Sequence, residues 1–184
     1  MTLNDLEALH ALLQARSVRR GDFVLASGRR STYYIDARLT TMSAEGQVLI
    51  GRAGLAAIRA KGWKPAAIGG LTMGADPVAY AVAAASVASA PLVDAFSVRK
   101  EAKKHGTGKR IEGNFASGRD VVIAEDVITT GGSALQAIEA VKAEGGVVLG
   151  VLAIVDREEG GREAILGAGI DVVTLTTTTS LGLK

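Results

Sequence analysis

Apolar residues recur at helical spacing in the first third of the chain. Leucines stand at positions 3, 6, 9, 12 and 13, and this spacing predicts an amphipathic helix. A second helix is predicted after Ser43, whose side chain suits an N-cap, and it should end near Gly62.

Between these two helices the pattern indicates extended chain. Residues 23–26 and 31–39 are the two extended segments, and residues 27–30 between them predict a hairpin turn. Residues 1–40 are therefore expected to form a small N-terminal lobe.

From residue 63 onward the pattern changes to short apolar runs separated by alanine-rich helical stretches. The runs are rich in β-branched residues and cover 66–70, 92–98, 120–126, 147–156 and 171–178. Such alternation is typical of parallel strands joined by helices, and nearly continuous apolar strands indicate a sheet covered on both faces. We predict an α/β fold with an open doubly wound parallel sheet over residues 63–178, within one domain spanning 1–184.

Composition excludes several kinds of site. The chain has no cysteine and two histidines, so disulfides, thiolate metal sites and cysteine nucleophiles are ruled out and a zinc site is not expected. No apolar run approaches the roughly 20 residues that a membrane helix needs, and the N-terminus lacks the pattern of a signal peptide. We expect a cytoplasmic protein with no membrane partner.

The charge is small overall but unevenly distributed. The net charge is +2, yet residues 99–110 contain six lysines and arginines against one acidic residue. A local basic patch favours a compact anionic ligand over a nucleic acid, which needs basic residues spread over a face. Aromatic residues, at 4%, also give little material for stacking bases. No nucleic-acid partner is expected.

The polar residues that could carry chemistry follow the predicted strands. In open α/β sheets, ligands bind at the carboxyl ends of the strands. The segments at those ends are 69–76, 99–110, 125–133 and 156–161. These four segments are the candidate functional site.

The segment 125–133 has the composition of a site for a phosphorylated sugar. Glu125 and Asp126 end a strand, and a turn rich in threonine and glycine leads into a helix. Backbone N–H groups and the helix dipole at such a turn bind phosphate, whereas carboxylates accept hydrogen bonds from sugar hydroxyls. Neither a Walker loop nor a dinucleotide fingerprint occurs in the chain. A plain strand-to-helix turn with surface acids is the alternative.

The full string VVIAEDVITTGGSA resembles the phosphoribosyl pyrophosphate motif of type I phosphoribosyltransferases. The resemblance implies that Glu125 and Asp126 bind the ribose hydroxyls and that the following turn holds the 5-phosphate. The substrate-binding residues implied for the rest of the motif are Val127, Ile128, Thr129, Thr130, Gly131, Gly132 and Ser133. Mg²⁺ is expected to arrive with the pyrophosphate, without direct protein ligands, as suits an ion that keeps water and phosphate oxygens.

The basic segment 99–110 is polar, contains glycine and lies between two predicted strands. Such a segment could close over a pyrophosphate leaving group; a solvated run of charge is the alternative. Its order of residues resembles the catalytic loop of orotate phosphoribosyltransferases. The resemblance implies catalytic roles for Arg99, Lys103 and His105 and a substrate contact for Lys100. His105 could act as an acid or only as a hydrogen-bond donor.

In that family the loop reaches into the active site of the neighbouring subunit. The resemblance therefore implies a homodimer in which segment 99–110 acts in the partner's site. It covers most of the chain, from about residue 23 to residue 161, and leaves out the first helix and the threonine-rich tail.

The segment 23–38 resembles the N-terminal motif of the same family. There the aromatic pair, here Tyr33 and Tyr34, flanks the flat orotate ring, so the N-terminal lobe should contribute to the base site. An ordinary hairpin with two core tyrosines is the alternative. Many members carry lysine where this chain has Ala26.

Two further segments follow the family pattern. Arg157 matches the residue that binds the orotate carboxylate, a role that suits the arginine fork; its alternative is a surface ion pair with Glu158 or Glu159. Residues 69–74 match the loop that holds pyrophosphate, but Met73-Gly74 stands where some members have Tyr-Lys. Thr129 is expected to add a hydrogen bond to orotate.

The implied activity is transfer of 5-phosphoribosyl to orotate, in pyrimidine (UMP) biosynthesis. Two alternatives are a purine phosphoribosyltransferase and a non-catalytic sensor of phosphoribosyl pyrophosphate. The first would lack the basic segment and the tyrosine hairpin, and the second would show a DNA-binding domain or a broad basic face.

Overall fold

The computed structural model of the protein describes residues 3–24, 28, 30–101 and 110–184. Its helices are α1 (Leu3–Arg16), α2 (Arg38–Thr41), α3 (Ala44–Ala60), α4 (Ala75–Ser86), α5 (Gly132–Ala143) and α6 (Gly161–Gly167). Its strands are β1 (Val18–Val24), β2 (Arg30–Ile35), β3 (Ala67–Leu71), β4 (Asp94–Val98), β5 (Ile111–Gly113), β6 (Asp120–Ile128), β7 (Val147–Asp156) and β8 (Val172–Thr177). Within these ranges no helix is both long enough and apolar enough to cross a membrane.

Six strands form the main sheet in the order β5-β4-β3-β6-β7-β8. All neighbours pair in parallel except β5, which runs antiparallel to β4 at the edge. The chain winds outward from β3 to β4 on one side and from β6 to β8 on the other, so the strand order reverses between β3 and β6. The predicted doubly wound α/β fold is confirmed. The sequence analysis missed β5, whose three residues are too few to show a periodic pattern.

The N-terminal lobe contains a two-stranded antiparallel sheet of β1 and β2. The first extended segment begins at Val18, five residues before the predicted start at position 23, and the prediction of extended chain through position 39 was wrong. Strand β2 ends because the Asp36 carboxylate accepts the backbone N–H of Arg38 at 3.2 Å, a turn that starts α2. Residues 27 and 29 of the predicted hairpin turn lie outside the described residues.

Helices cover both faces of the main sheet. One apolar cluster joins α1, α3 and α4 to the face of β6 and β7 that carries Val122, Ala124, Leu152 and Ile154. A second cluster joins α5 to the opposite face. Tyr33 of β2 belongs to the first cluster, so the N-terminal lobe is continuous with the core of the sheet.

Helix α3 begins and ends as the sequence predicts. The Ser43 hydroxyl accepts the backbone N–H of Gly46 at 3.0 Å, which confirms the N-cap. The helix ends at Ala60 and is followed by Gly62, which has a φ of 72°. Glycine takes that left-handed conformation without steric cost.

Candidate active site

The carboxyl ends of β6 and β7 bring two of the predicted segments together. The strands pair so that Ile128 lies opposite Asp156. Beyond the last pair, the backbone N–H of Arg157 donates to the carbonyl of Ile128 at 2.9 Å. Residues 125–133 and 156–161 therefore emerge side by side at one edge of the sheet.

The turn after β6 has the geometry of a phosphate-binding turn. Gly131 has a φ of 81° and caps α5, with its carbonyl accepting the N–H of Leu135 at 2.9 Å. Thr129 is half-buried, whereas Thr130, Gly132 and Ser133 are exposed. The first N–H groups of a helix have no intrahelical partner, and the helix dipole makes its N-terminus attractive to anions. An anion at this turn would meet backbone N–H groups and threonine and serine hydroxyls.

The start of α6 packs against the backbone of this turn. A Cβ atom at Gly131 would lie 2.7 Å from the carbonyl oxygen of Gly161. A Cβ atom at Gly161 would overlap the Thr129 carbonyl and lie 2.6 Å from the Gly131 nitrogen. Only glycine allows this approach at both positions. The sequence analysis gave Gly161 no role, although two consecutive glycines after a buried strand were a visible signal.

Val127 and Ile128 lie between the carboxylates and the turn, and both pack against apolar residues. Val127 is half-buried against the cluster of α1, α3 and α4, and Ile128 is buried in the cluster of α5. Their side chains face opposite sides of the sheet. They anchor the motif in the core, and their contact with a ligand stays a prediction.

The two carboxyl groups of the motif differ in environment. Glu125 is 6% exposed, and its pKa is raised to about 8, first by burial and then by the negative charge of Asp126 and a hydrogen bond with it. Asp126 is half-buried and accepts the N–H of Val127 at 2.8 Å. At neutral pH the pair therefore carries mainly one negative charge.

Asp126 also contacts the segment predicted to hold pyrophosphate. A Cβ atom at Gly74 would lie 2.6 Å from Asp126 Oδ1, so glycine lets this turn approach the carboxylate. Met73, next to it, is 63% exposed. The same turn is joined to β4 by the N–H of Thr72, which donates to the Val98 carbonyl at 2.9 Å.

Arg38 adds positive charge near Asp126. Its guanidinium binds both carboxylate oxygens of Asp36, at 2.9 and 3.1 Å. The hydrogen bonds that Arg38 donates to the Asp36 side chain raise the pKa of Arg38 most, and the charges of Asp36 and Asp126 raise it further. The sequence analysis assigned no role to Arg38, although it ends the N-terminal motif.

Arg157 lies buried at the end of β7, only 8% exposed. Its guanidinium carbon is 5.4 Å from the centre of the Tyr33 ring, and Nη2 binds Glu159 Oε1 at 2.9 Å. The ion pair named as the alternative therefore exists with Glu159, but it is buried. Within the part of the chain that the structure describes, the buried Nε has no hydrogen-bond partner. A planar carboxylate could supply that partner.

Tyr33 and Tyr34 lie on opposite faces of β2. Tyr33 is 8% exposed and faces Arg157, whereas Tyr34 is 40% exposed and packs against Phe23 at 5.8 Å between ring centres. Strand alternation accounts for this difference. The structure brings Tyr33 to Arg157 and does not bring Tyr34 there; that both rings flank one ligand stays a prediction.

The two ends of the basic segment meet beside β5. The N–H of Arg99 donates to the Arg110 carbonyl at 2.8 Å, and Arg99 Nε binds Glu112 at 3.1 Å. The Lys100 carbonyl accepts a hydrogen bond from Gln136 of α5 at 3.4 Å, on the helix that begins at the phosphate-binding turn. Lys103 and His105, like Ala26, lie outside the described residues. Among the residues that are described, no three acidic or histidine side chains converge as a metal site would require.

Known proteins resemble the chain over nearly its whole length. Residues 43–165 match the model of the phosphoribosyl transferase domain family. An orotate phosphoribosyltransferase of Rhodopirellula baltica is 46% identical, over 98% of this chain and 95% of the relative. One from Aquifex aeolicus is 45% identical, over 95% and 96%. The crystal structure of the Mycobacterium tuberculosis enzyme in complex with 5-phospho-α-D-ribosyl 1-diphosphate superposes with a TM-score of 0.82 at 40% identity, covering 97% of this chain and 99% of that one.

Burial of Glu125 predicts a pH-dependent stability. Because its pKa is raised from 4.5 to about 8 in the folded state, the folded protein holds this proton more tightly than the unfolded chain does. Stability should therefore fall as the pH rises from 4.5 to about 8. We expect Glu125→Gln to flatten this decline, as measured by urea denaturation across the range. The control is Glu163→Gln, at an exposed site on α6; an unchanged decline in Glu125→Gln would contradict the prediction.

The contact between Gly131 and Gly161 predicts that Gly161→Ala disturbs the phosphate-binding turn. The added methyl group would push the backbone of Thr129 and Gly131 away from α6. We expect binding of ribose 5-phosphate, measured by calorimetry, to weaken by about tenfold or more, or ~1.4 kcal/mol. Gly167→Ala on the same helix is the control, since its Cβ would meet open space. Equal affinities in the two variants would argue against the support role of α6.

Proposed function

The chain belongs to the orotate phosphoribosyltransferases, within the phosphoribosyl transferase domain family, and from this premise we propose that it makes orotidine 5-monophosphate. It transfers 5-phosphoribosyl from phosphoribosyl pyrophosphate to orotate and releases pyrophosphate, in pyrimidine biosynthesis leading to UMP. One observation carries the proposal: the turn after β6 stands beside the buried Arg157 after β7, which packs on Tyr33. The first suits the sugar phosphate and the second suits the carboxylate of the base.

The sugar phosphate binds at the end of β6. Backbone N–H groups and hydroxyls of residues 129–133 hold the 5-phosphate, and the solved complex of the Mycobacterium tuberculosis relative with the sugar diphosphate supports this substrate. Asp126, the more exposed acid of the pair, accepts hydrogen bonds from the ribose hydroxyls. Glu125, largely neutral and buried, limits the negative charge that a phosphorylated substrate must meet.

Orotate binds next to Arg157. The guanidinium donates to the orotate carboxylate, and its unpartnered Nε supports this assignment. Tyr33 packs against the guanidinium and limits its movement. Thr129 stands at the start of the turn after β6, which emerges beside Arg157. Orotate N1 loses its proton to solvent and attacks C1 of the sugar, as the bond from C1 to pyrophosphate breaks and its electron pair leaves with pyrophosphate.

Charge develops on the departing pyrophosphate, and basic residues stabilise it. Lys103, with Arg99 and Lys100, supplies positive charge from segment 99–110, and the turn at residues 73–74 supplies backbone N–H groups. Mg²⁺ held by the pyrophosphate group, without direct protein ligands, would neutralise part of its charge, as this ion's preference for phosphate and water oxygens supports. His105 hydrogen-bonds the leaving group or protonates it. A cytoplasmic location stays a prediction from the sequence.

The enzyme acts as a homodimer in which segment 99–110 completes the partner's site. An exposed apolar patch supports a partner: Leu39, Met42 and Met73 are 45%, 50% and 63% exposed around a cavity of about 440 Å³. Exposed patches of this kind mark interaction surfaces. Met73 adjoins Gly74, which contacts Asp126, so a partner on this patch would lie beside the sugar site.

The activity is tested by mixing the protein with Mg²⁺, phosphoribosyl pyrophosphate and orotate and following the loss of orotate absorbance. We expect orotate to be consumed only with Mg²⁺ present, and uracil, adenine and hypoxanthine to be left unchanged. Lys103→Ala should lower kcat by about a hundredfold, since it removes one donor to developing charge. Lys64→Ala, an exposed lysine preceding β3, is the matched control. Consumption of a purine instead of orotate would overturn the proposal.

The shared site is tested by mixing two defective subunits. Lys103→Ala and Asp126→Asn should each have low activity alone. If the segment acts in the partner's site, a heterodimer of the two variants contains one site in which both residues are intact. When the two variants are co-expressed, each with its own tag, about half of the dimers are mixed. Each mixed dimer has one intact site of two, so the whole preparation should regain about a quarter of wild-type activity. Activity no higher than that of the single variants would mean that the segment acts within its own subunit.

A further inference from the structure

The threonine-rich segment 177–184, which lies beyond the residues 43–165 that match the family model, packs against the turn that carries Arg157. Its Leu181 side chain is fully buried, and the Leu181 carbonyl accepts a hydrogen bond from Gln14 of α1 at 3.1 Å. The N–H of Thr178 donates to the Asp156 carbonyl at 2.9 Å, at the end of β7. The segment is therefore fixed between the N-terminal lobe and the orotate side of the site.

Glu158, which follows Arg157, holds an unusual backbone conformation. Its φ is 55°, in the left-handed region that non-glycine residues rarely adopt. Its carboxylate accepts the Thr178 hydroxyl at 2.6 Å, the Thr179 N–H at 2.7 Å and the Thr179 hydroxyl at 2.8 Å. These hydrogen bonds favour the ionised form and lower the pKa of Glu158, the one from Thr178 most. The carboxylate clamp compensates for the backbone strain.

Further hydrogen bonds, next to the clamp, fix the backbone on both sides of Arg157. Before it, the Arg157 N–H donates to the Ile128 carbonyl at 2.9 Å. After it, the Glu158 N–H donates to Asp156 Oδ1 at 2.8 Å and the Glu158 carbonyl accepts from Lys184 at 2.9 Å. The Thr178 hydroxyl has one proton and donates chiefly to the nearer, charged Glu158 oxygen; the Arg157 carbonyl, at 3.1 Å, is its weaker acceptor.

We propose that Glu158 and Thr178 are positioning residues, which hold Arg157 against Tyr33 in the orientation that receives the orotate carboxylate. Neither residue contacts the substrate. Because the two act through the turn on which Arg157 stands, breaking the hydrogen bonds between Glu158 and Thr178 moves the Arg157 guanidinium. This movement weakens its contact with the carboxylate of orotate, whereas phosphoribosyl pyrophosphate makes no such contact. Misplacement of a binding group by about 1 Å can cost up to a hundredfold. The inference rests on the proposed function, since it concerns the same base site.

Substitutions at Glu158 and Thr178 distinguish the effect of the carboxylate clamp from the effect of the left-handed backbone at Glu158. Glu158→Gln keeps the size of the side chain but removes one acceptor oxygen and the charge. Glu158→Gly removes the clamp while accepting the left-handed conformation freely. Thr178→Val keeps the shape of the buried side chain and removes its hydroxyl, whereas Thr178→Ser keeps the hydroxyl. Glu163→Gln on α6 is the control for loss of an exposed carboxylate.

The measurement is steady-state kinetics with each substrate varied in turn, after circular dichroism has established that each variant is folded. Glu158→Gln, Glu158→Gly and Thr178→Val should raise KM for orotate by about tenfold or more and leave KM for phosphoribosyl pyrophosphate within twofold. Thr178→Ser and Glu163→Gln should keep the wild-type values.

The outcomes separate a positioning role from a purely structural one. Variants that lose thermal stability but keep the wild-type KM for orotate would overturn the inference. So would equal rises in both KM values, or a Glu158→Gly variant that matches wild type, since the left-handed backbone would then position Arg157 without the clamp. Loss of folding in Glu158→Gln, Glu158→Gly and Thr178→Val, with Thr178→Ser folded, would likewise make the clamp structural. A wild-type protein that does not consume orotate would instead overturn the proposed function.

Discussion

The pairing of β6 with β7 is the constraint on which the candidate site depends. Both strands are buried on both faces, so a shift of one residue would exchange the side chains that face the two apolar clusters. The register that satisfies both clusters also puts Ile128 opposite Asp156 and allows the hydrogen bond from Arg157 to Ile128. The turn after β6 and the turn that carries Arg157 are therefore aligned by the core of the sheet.

Charges at this edge of the sheet occur in compensated groups. Glu125 forms a hydrogen bond with Asp126, Arg157 binds Glu159, and Arg38 binds Asp36. Burying an isolated charge costs far more than burying a paired one. The site can thus present a cation to a carboxylate and one main anion to sugar hydroxyls without large unpaired charge in the core.

The sequence was sufficient for features that depend on local pattern or on long apolar runs. The five parallel strands were predicted because each run is nearly continuous, and the turn between β6 and α5 because its glycines and threonines are adjacent; phosphate binding at this turn stays a prediction. The separation of Tyr33 from Tyr34 also follows from strand alternation, although the prediction treated them as a pair. Strand β5 was missed because three residues show no period.

Contacts between distant segments could not be predicted in this way. Gly74 meets Asp126, and Glu158 meets Thr178, only once the sheet has formed. Glu159 was named only as one side of a surface ion pair, because nothing in its neighbours indicates that its partner Arg157 will be buried. Residues 102–109 lie outside the described residues, so the roles of Lys103 and His105 remain predictions from resemblance.

The close approach of Gly131 and Gly161 ties together two stretches that are 30 residues apart. Neither position has room for a side chain, because each faces the backbone of the other. Segments exchanged between relatives to build chimaeras would therefore have to carry both stretches from the same parent. The turn after β6 and the beginning of α6 must therefore change together, although the chain separates them by a helix and a strand.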